Sequence, residues 1–343
     1  MRAAILTARG HRAVQVVDDW PMPTRPPGHV LVKITAASLN RVDLYMRDSG
    51  VGITHSLPMV MGVDGAGMVA ECDPEETRLR PGQPVLIYPA LWCGRCPYCL
   101  RGDPVLCQSV RILGEHGDGT LAQYVSVPAA NVVAVPETFS DAQAACLPVA
   151  YLTAWRMVVT KAAVKPTDTV LIFGIGGGVS LAALQICRLL GARVIVTSGH
   201  DRKLEQALAL GADLALHHGR DDVVAMVMAA TDKRGVDVVV ENVGHATWDV
   251  AQRVVGRGGT IVTCGATSGG EVMTDLRRLF IRQISVLGST LGNPGELLDL
   301  VQAVGRHRLL PVIDSTFALS DIHAALARLE SAEQMGKIVV SLV

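Results

Sequence analysis

One glycine-rich stretch, residues 169–189, constrains the fold of this chain more than any other. An apolar run at 170–173 leads into four glycines within five positions, and a segment with apolar residues at helical spacing follows. This order is typical of a buried parallel strand, a phosphate-binding turn and a crossover helix. The glycines have a physical purpose there, because a pyrophosphate must approach bare backbone N–H groups at a positively polarised helix N-terminus.

The glycines fit two spacings of such a turn. Read as G-x-G-x-x-G, Gly174 and Gly176 lead to Val179, which is not a glycine. Read as G-x-x-G-x-x-small, Gly174 and Gly177 lead to Ser180, whose side chain is small enough for close helix–strand packing. The second spacing is therefore favoured. The residues predicted to bind the phosphates are Gly174, Gly176, Gly177, Gly178, Val179 and Ser180.

The C-terminal half of the chain alternates predicted strands with helices, which predicts a doubly wound parallel sheet of the Rossmann type. Two other interpretations of the glycine stretch fit less well. A transmembrane segment at 170–187 is disfavoured by its central glycines and by Arg188 and Arg193 just beyond it. The alternation that follows favours a dinucleotide-binding turn over a glycine-rich turn of another α/β protein. The predicted strands cover residues 193–197, 237–241, 260–264 and 284–287, and a predicted helix covers 204–210.

The first 90 residues are predicted to form only β-structure. Short apolar or alternating runs are separated by prolines and glycines, which is typical of a compact β-barrel. The net charge of −1 provides no basic surface for nucleic acid or an anionic membrane. No long apolar segment follows Met1, so no signal peptide is predicted. We expect a cytoplasmic protein with neither nucleic acid nor membrane as a partner.

Four of the eight cysteines form a metal-binding pattern. The spacing Cys93-x2-Cys96-x2-Cys99-x7-Cys107 allows four thiolates of one loop to surround a zinc ion tetrahedrally and leaves no open coordination position. The alternatives are two disulfides, disfavoured by the compartment, and an iron–sulfur cluster, disfavoured by the long last gap. The prediction is one structural zinc in a lobe at residues 92–108, which the metal holds in shape.

The chain also contains, in order, the segments SLNRVDLYMRDSG (38–50), LPMVMGVDGAGMVAE (57–71), GDGTLAQYV (117–125), LTAWRMV (152–158), VLGST (286–290) and MGKIVV (335–340). Together with the cysteine lobe and the glycine turn, they resemble the medium-chain dehydrogenase/reductase superfamily. The chain is similar to its zinc-containing alcohol dehydrogenases and to its zinc-independent quinone oxidoreductases.

This resemblance implies an α/β protein with two domains. A GroES-like β-barrel catalytic domain would comprise residues 1–150, carry the zinc lobe and be completed by residues 293–343. A Rossmann dinucleotide-binding domain would comprise residues 151–292. The resemblance also implies a homodimer or homotetramer in which the last Rossmann strand, otherwise an exposed edge, pairs with its own copy.

The resemblance further implies three positions for the ligands of a catalytic zinc, and this chain departs from the pattern at each. They hold Asn40, Val63 and Val149. Valine cannot bind a metal, and an asparagine oxygen is a poor zinc ligand beside a thiolate or an imidazole. We therefore predict that no catalytic zinc is bound. Cys146 lies close to Val149 in sequence but would be a single ligand, so it is interpreted as core packing.

Without a metal, hydrogen bonds must stabilise the charge that develops on the substrate. The resemblance to the quinone oxidoreductases implies that Asn40 and Tyr45 lie near the nicotinamide. The Asn40 amide would hold a carbonyl oxygen as negative charge develops there, and Tyr45 would do the same or relay a proton. The structural alternatives are a strand-end turn for Asn40 and a half-buried core position for Tyr45. Asp43 and Asp64 match acids that lie near the metal in relatives, and Asp43 is expected to orient its neighbours.

The end of the second Rossmann strand predicts the cofactor. NAD-specific proteins place an acid there to bind the ribose hydroxyls, whereas this chain has Ser198. A small neutral residue leaves room for a 2′-phosphate, and Arg202 and Lys203 lie close enough to pair with it. Against this, Asp201 is close by, and Lys203 would also suit a solvated helix position. We predict NADPH, with NADH as the alternative. The other predicted cofactor contacts are Asn242, Val243, Gly265, Ala266, Ser289 and Thr290.

The expected activity is NADPH-dependent reduction without a catalytic zinc. The hydride would pass to a small activated acceptor: a quinone, an α,β-unsaturated carbonyl, or a reactive aldehyde or ketone. One alternative is a metal-independent NAD(P)-dependent alcohol dehydrogenase, and another is a sensor that binds NADPH with little turnover. The physiological substrate stays open, because no motif fixes the shape of its pocket.

Overall fold

The computed structural model describes residues 1–136 and 138–343. The strands are β1 (Ala3–Leu6), β2 (Val14–Val17), β3 (His29–Ser38), β4 (Met59–Val60), β5 (Asp64–Glu71), β6 (Pro84–Ile87), β7 (Ala90–Leu91), β8 (Arg111–Ile112), β9 (Tyr124–Pro128), β10 (Val132–Ala134), β11 (Thr169–Ile172), β12 (Arg193–Ser198), β13 (Leu214–His217), β14 (Val236–Glu241), β15 (Val255–Thr263), β16 (Ser285–Gly288), β17 (Ile313–Ala318) and β18 (Lys337–Ser341).

The helices are α1 (Arg41–Asp48), α2 (Pro97–Leu100), α3 (Asp141–Ala145), α4 (Leu152–Trp155), α5 (Gly178–Leu190), α6 (Asp201–Ala209), α7 (Val223–Ala230), α8 (Trp248–Val254), α9 (Leu276–Arg282), α10 (Pro294–His307) and α11 (Ile322–Glu330). The backbone is π-helical over Leu147–Tyr151 and Arg156–Lys161, and it forms 3-10 turns at His11–Ala13, Pro104–Leu106, Ala129–Asn131 and Leu319–Asp321. Within the described residues, no helix is long and apolar enough to cross a membrane.

The chain divides into two compact units. The first comprises Met1–Ala150 and Asn293–Val343, and the second comprises Tyr151–Gly292. Each unit has its own sheet and its own buried apolar cluster.

The second unit contains a six-stranded parallel sheet in the order β13-β12-β11-β14-β15-β16. The central strand β11 is buried along its whole length, as its apolar sequence predicts. The order reverses on either side of β11, so the predicted doubly wound sheet is confirmed. The strand predicted at 260–264 is longer than expected, because β15 begins at Val255 and continues through glycines while pairing with β14 across a bulge.

The first unit is a mixed β-structure around a seven-stranded sheet in the order β10-β6-β5-β3-β18-β17, with β9 also paired to β3. The prediction that residues 1–90 form only β-structure was wrong, because α1 follows β3 directly. A capping interaction explains this helix: the Asn40 backbone N–H donates to Asp43 Oδ2 at 2.7 Å, and the Asp43 N–H donates to the Asn40 carbonyl at 3.0 Å.

The order of three neighbouring strands places polar residues side by side at one end of this sheet. Ser38, the last residue of β3, is opposite Asp64, the first residue of β5. On the other side of β3, Ser38 is opposite Val339 of β18, so Lys337 falls two residues further along, level with Asn40. The sheet therefore brings together residues that lie far apart in sequence.

Candidate active site

The glycine turn follows β11 and leads into α5. Gly174 has φ +62°, in the left-handed region, and an added Cβ there would lie 3.3 Å from Val243 Cγ2. Gly177 is the N-cap of α5, a helix of 13 residues, so it brings no side chain to the N–H groups of the first turn. This bare backbone at a helix N-terminus suits the pyrophosphate of a dinucleotide.

Ser180 and Asn242 join the turn to the neighbouring strand. Ser180 is fully buried, and its hydroxyl donates to the Phe173 carbonyl at 2.8 Å. Asn242 Nδ2 in turn donates to Ser180 Oγ at 2.8 Å. Asn242 follows β14, so these two bonds link the carboxyl ends of β11 and β14, the edge at which doubly wound sheets bind ligands.

The loop after β14 is anchored by a buried carboxylate. Glu241 accepts hydrogen bonds from the backbone N–H groups of Val243 and Gly244 at 3.0 Å and from the Thr247 hydroxyl at 2.5 Å. Glu241 thus fixes the loop that carries two of the predicted cofactor contacts, Asn242 and Val243.

Two more pairs of predicted cofactor residues lie at the same edge of the sheet. Gly265 and Ala266 follow β15 closely, and Ser289 and Thr290 follow β16 directly. The Ser289 N–H donates to the Thr263 carbonyl at 2.8 Å, which continues the pairing of the two strands. Ser289 Oγ is buried and has no hydrogen-bond partner within the described residues, so it suits a polar group of a bound ligand.

Ser198 ends β12 and lies beside the backbone of two histidines. It is buried, and its hydroxyl accepts a hydrogen bond from the His200 N–H at 3.1 Å. The His218 N–H donates to the Ser198 carbonyl at 3.1 Å, so two histidines lie beside this position. Burial, followed by the charges of His217 and His200, lowers the pKa of His218.

The structure also places the three charged residues that follow Ser198. Arg220 binds Asp201 through two hydrogen bonds of 2.5 and 2.9 Å, which occupy the one acid expected to compete for the ribose. Lys203 is buried, so the alternative of a solvated helix position was wrong, whereas Arg202 is exposed. The sequence motif did not reveal the contacts of Arg220 with Asp201 and of His218 with Ser198.

The four lobe cysteines are arranged for a metal. Their sulfur atoms all lie within 4.8 Å of one another, with 3.4 Å between Cys96 and Cys99 and 3.9 Å between Cys93 and Cys99. Sulfurs bound tetrahedrally at 2.3 Å are about 3.8 Å apart, so the donor set fits a zinc ion. All eight cysteines are free thiols, and the 3.4 Å between the Cys96 and Cys99 sulfurs is longer than a disulfide bond.

Asn40 lies between β3 and α1 as the N-cap of that helix, and its side chain is fully engaged. Its Oδ1 accepts a hydrogen bond from Lys337 Nζ at 2.5 Å. Its Nδ2 donates to Asp64 Oδ2 at 2.8 Å and to the Ser38 carbonyl at 3.3 Å. Donation to a substrate therefore requires Asn40 to give up one of these two bonds, and the longer bond to Ser38 is the weaker.

Lys337 and Asp64 form a buried ion pair beside Asn40. The exposed fractions of their side chains are 3% and 0%, and Lys337 Nζ lies 3.1 Å from Asp64 Oδ2. Lys337 also donates to the Leu39 carbonyl at 2.8 Å, and the Ser38 hydroxyl donates to Asp64 Oδ2 at 2.7 Å. Asp64 Oδ1 has no hydrogen-bond partner within the described residues.

Sequence reasoning missed Lys337. It lies within a segment that supported the family resemblance, but a lysine at the start of an apolar strand is normally solvated. The only signal was its position in the final strand, whose pairing with β3 could not be predicted from local pattern.

Asp43 and Tyr45 lie on α1 in contrasting environments. Asp43 is buried, and burial raises the pKa of its carboxyl group to about 7, against the lowering effect of the Asn40 N–H. Tyr45 is 42% exposed and its hydroxyl donates to the Val51 carbonyl, so the alternative of a half-buried core residue was wrong.

The residues at the expected catalytic-zinc position do not fit that ion. Val63 and Val149 carry no donor atom, and Asn40 Oδ1 already accepts from an ammonium group. Cys146 is buried, its thiol donates to the Ala142 carbonyl, and burial raises its pKa to about 12, which disfavours the thiolate. Within the described residues, only the four lobe cysteines group three or more His, Cys, Asp or Glu ligands for a metal.

Two protein-family models match the chain. Residues 26–137 match the alcohol dehydrogenase GroES-like domain, and residues 178–306 match the zinc-binding dehydrogenase family. An NAD-dependent alcohol dehydrogenase of Sulfurisphaera tokodaii is 28% identical over 94% of this chain and 95% of its own length.

Solved structures extend this similarity to the fold. A structure described as an NAD-dependent alcohol dehydrogenase is 39% identical, covers 100% of both chains and superposes with a TM-score of 0.96. The cobalt- and zinc-bound thermostable alcohol dehydrogenase of Pyrobaculum aerophilum is 34% identical, covers 99% of both chains and has a TM-score of 0.89.

Proposed function

Because this chain belongs to the medium-chain dehydrogenase/reductase superfamily, whose members are NAD(P)-dependent oxidoreductases, we propose that it is an NADPH-dependent reductase without a catalytic zinc. One observation carries the proposal: Asn40, at a position where the resemblance implies a zinc ligand, is an amide whose oxygen is bound by the buried Lys337–Asp64 ion pair. The proposed substrates are acceptors activated enough to react without a Lewis acid: quinones, α,β-unsaturated carbonyls and reactive aldehydes or ketones.

The reaction needs few groups from the protein. When bound, the reduced nicotinamide supplies a hydride, and the acceptor also takes up one proton from solvent, which yields NADP+ and the reduced acceptor. Asn40 is proposed to donate its N–H to the acceptor oxygen in place of its 3.3 Å bond to Ser38. Asp43 holds Asn40 at the start of α1. Tyr45, exposed on the same helix, is proposed to relay the proton.

The preference for NADPH is proposed from the surroundings of Ser198. The neutral serine, the occupied Asp201 and the exposed Arg202 favour a 2′-phosphate over a bare ribose. Relatives named NAD-dependent support the other choice, so substitution at this position is the test. In Ser198→Asp, we expect kcat/KM for NADPH to fall about 10²-fold while that for NADH rises. An unchanged NADPH/NADH ratio would disprove the assignment.

The four lobe cysteines are proposed to hold one zinc with a structural role, because four thiolates leave no coordination position for a substrate. The remaining proposed partner is a second copy of the chain, since β16 is an edge strand of its sheet.

The metal content and the substrate preference of the purified protein test the proposal together. We expect one zinc per chain, and NADPH oxidation with 9,10-phenanthrenequinone and trans-2-hexenal. As a matched control, Cys99→Ser should lose the zinc, whereas Cys72→Ser, outside the lobe, should retain it. A second zinc in the wild-type protein, together with zinc-dependent oxidation of alcohols, would contradict the proposal.

The second candidate is a metal-independent alcohol dehydrogenase, which the names of the relatives favour. It predicts that primary or secondary alcohols reduce NAD(P)+ at rates comparable with the quinone reaction in the one-zinc protein. A failure to oxidise alcohols, with quinone turnover intact, would exclude it.

A further inference from the structure

The ammonium group of Lys337 is buried inside the first unit, with only 3% of its side chain exposed. Burying an unpaired charge costs several kcal/mol, so a buried lysine needs compensation from every donor it carries. Lys337 Nζ has three N–H donors and three acceptors, all oxygens: the Leu39 carbonyl, Asn40 Oδ1 and Asp64 Oδ2, at 2.8, 2.5 and 3.1 Å. A set of oxygens around a buried cation is the arrangement that a hard metal ion would also use.

The ammonium determines how the Asn40 amide is oriented. Because Lys337 can only donate, it requires the oxygen of the amide, and the Nδ2 group must then face Asp64 and Ser38. A hydrogen bond from a cation to the amide oxygen also polarises the amide and strengthens its N–H groups as donors. Positive charge on Lys337 is thus transmitted through Asn40 to any oxygen that accepts from Nδ2.

We infer that the Lys337 ammonium takes the place of a metal cation in this site. It occupies the space between the oxygens of Leu39, Asn40 and Asp64 (the oxygen cage), orients and polarises Asn40, and excludes a divalent metal ion. Lys337 is a positioning residue that acts through Asn40. The inference rests on the proposed zinc-free reduction, and it adds the group that replaces the charge of the metal. Asp64 Oδ1, next to the pair, has no hydrogen-bond partner among the described residues and remains available for a hydroxyl group or a water molecule.

The test replaces the side chain and then restores the cation from solution. Lys337→Ala leaves the oxygen cage without its cation, and ethylammonium supplies the same N–H donors. Tetramethylammonium is the matched control ion, because it has the same charge but no N–H. Lys33→Ala is the control variant, since Lys33 is exposed on β3, the strand that pairs with β18.

With 9,10-phenanthrenequinone and NADPH, we expect Lys337→Ala to lower kcat about 10²-fold, the usual effect of losing an oriented donor, with little change in the KM for NADPH. Ethylammonium should raise the kcat of Lys337→Ala at least about 10-fold, and this increase should saturate with the ethylammonium concentration. It should also raise the Tm of Lys337→Ala, and tetramethylammonium should do neither. The wild-type protein and Lys33→Ala should respond to neither ion. The Tm readout is independent of turnover.

A neutral variant of similar size keeps the inference falsifiable. Lys337→Met with wild-type kcat, or equal rescue of Lys337→Ala by both ions, would overturn the inference while leaving the proposed reduction intact. A second metal ion in the wild-type protein would overturn both. If Lys337→Ala does not fold, the double variant Lys337→Met/Asp64→Asn removes both charges of the pair; a folded double variant with wild-type kcat would again overturn the inference.

Discussion

Asp43 is a buried carboxyl group, and burial disfavours its charged form. Its side chain is buried, and its folded-state pKa is about 7, whereas an unfolded aspartate titrates near 3.9. Between these two pH values, the folded state binds more protons than the unfolded state. The stability that Asp43 contributes is therefore fully present below about pH 4 and is lost as the pH rises through about 7.

The variant Asp43→Asn tests this pH dependence, because asparagine keeps an acceptor for the Asn40 N–H but does not titrate. From pH 5.5 to 8, we expect the wild-type free energy of unfolding to fall relative to that of the variant, by at most about 1.4 kcal/mol per pH unit. Urea unfolding across this range measures the difference. Parallel curves for the two proteins would show that Asp43 is already ionised in the folded state.

Residues with a local signature could be predicted from sequence, and residues defined by strand pairing could not. The glycines after β11 and the four lobe cysteines reveal their chemistry through spacing alone. Lys337, by contrast, meets Asn40 and Asp64 only because β18 and β5 pair with opposite sides of β3. His218 lies beside Ser198 for the same reason, because it follows β13, which pairs with β12. Long-range pairing thus accounts for what was missed.

At the scale of elements, the turn between β11 and α5 has the strictest backbone requirement. Gly174→Ala places a Cβ 3.3 Å from Val243 Cγ2 at φ +62°. A left-handed alanine costs roughly 1–2 kcal/mol. We expect a lower free energy of unfolding and at least a tenfold higher Kd for NADPH, about 1.4 kcal/mol in binding.

Gly295→Ala is the matched control for this turn, because nothing lies within 4 Å of an added Cβ at this helical position. Its stability should be unchanged or higher, and its Kd for NADPH should equal that of the wild-type protein. Urea unfolding measures the free energy of unfolding of both variants, and titration of NADPH fluorescence measures their Kd for NADPH. A Gly174→Ala variant with wild-type affinity would argue against phosphate binding at this turn.

The cysteine lobe is an element with little core of its own. Its helix α2 has only four residues, and Leu100 and Leu106 are 74% and 41% exposed. One attachment to the rest of its unit is Asn293, whose side chain bonds the Val105 N–H and Asp103 Oδ1 at 3.0 and 2.7 Å. Asn293 is also the N-cap of α10, so disorder in the lobe should spread to the start of that helix.

Removal of zinc by a chelator should therefore unfold the lobe locally. We expect amide hydrogen exchange to accelerate at residues 93–107 and at the start of α10, while the parallel sheet of the second unit keeps its protection. The Kd for NADPH should not change. Uniformly accelerated exchange across both units would contradict a local role for the metal.

At the scale of the whole molecule, the second unit exposes several large apolar side chains within residues 273–286. They belong to the edge strand β16, to α9 and to the segment before that helix. The exposed fractions are 93% for Met273, 68% for Leu276, 66% for Phe280, 58% for Ile281 and 41% for Val286. A strand edge flanked by exposed apolar side chains favours association. Among the described residues, β16 pairs with β15 alone.

We therefore expect a dimer in which β16 pairs with β16 of a second copy, and Val286→Lys should dissociate it. Light scattering after size-exclusion chromatography should give twice the chain mass for the wild-type protein and the chain mass for this variant. Leu208→Lys is the control, since Leu208 is 47% exposed on α6 of the same unit and should leave the dimer intact. If the wild-type protein is monomeric, or if both variants dissociate alike, the edge strand is not the interface. A tetramer that Val286→Lys reduces to dimers would instead show that β16 forms one of two distinct contacts.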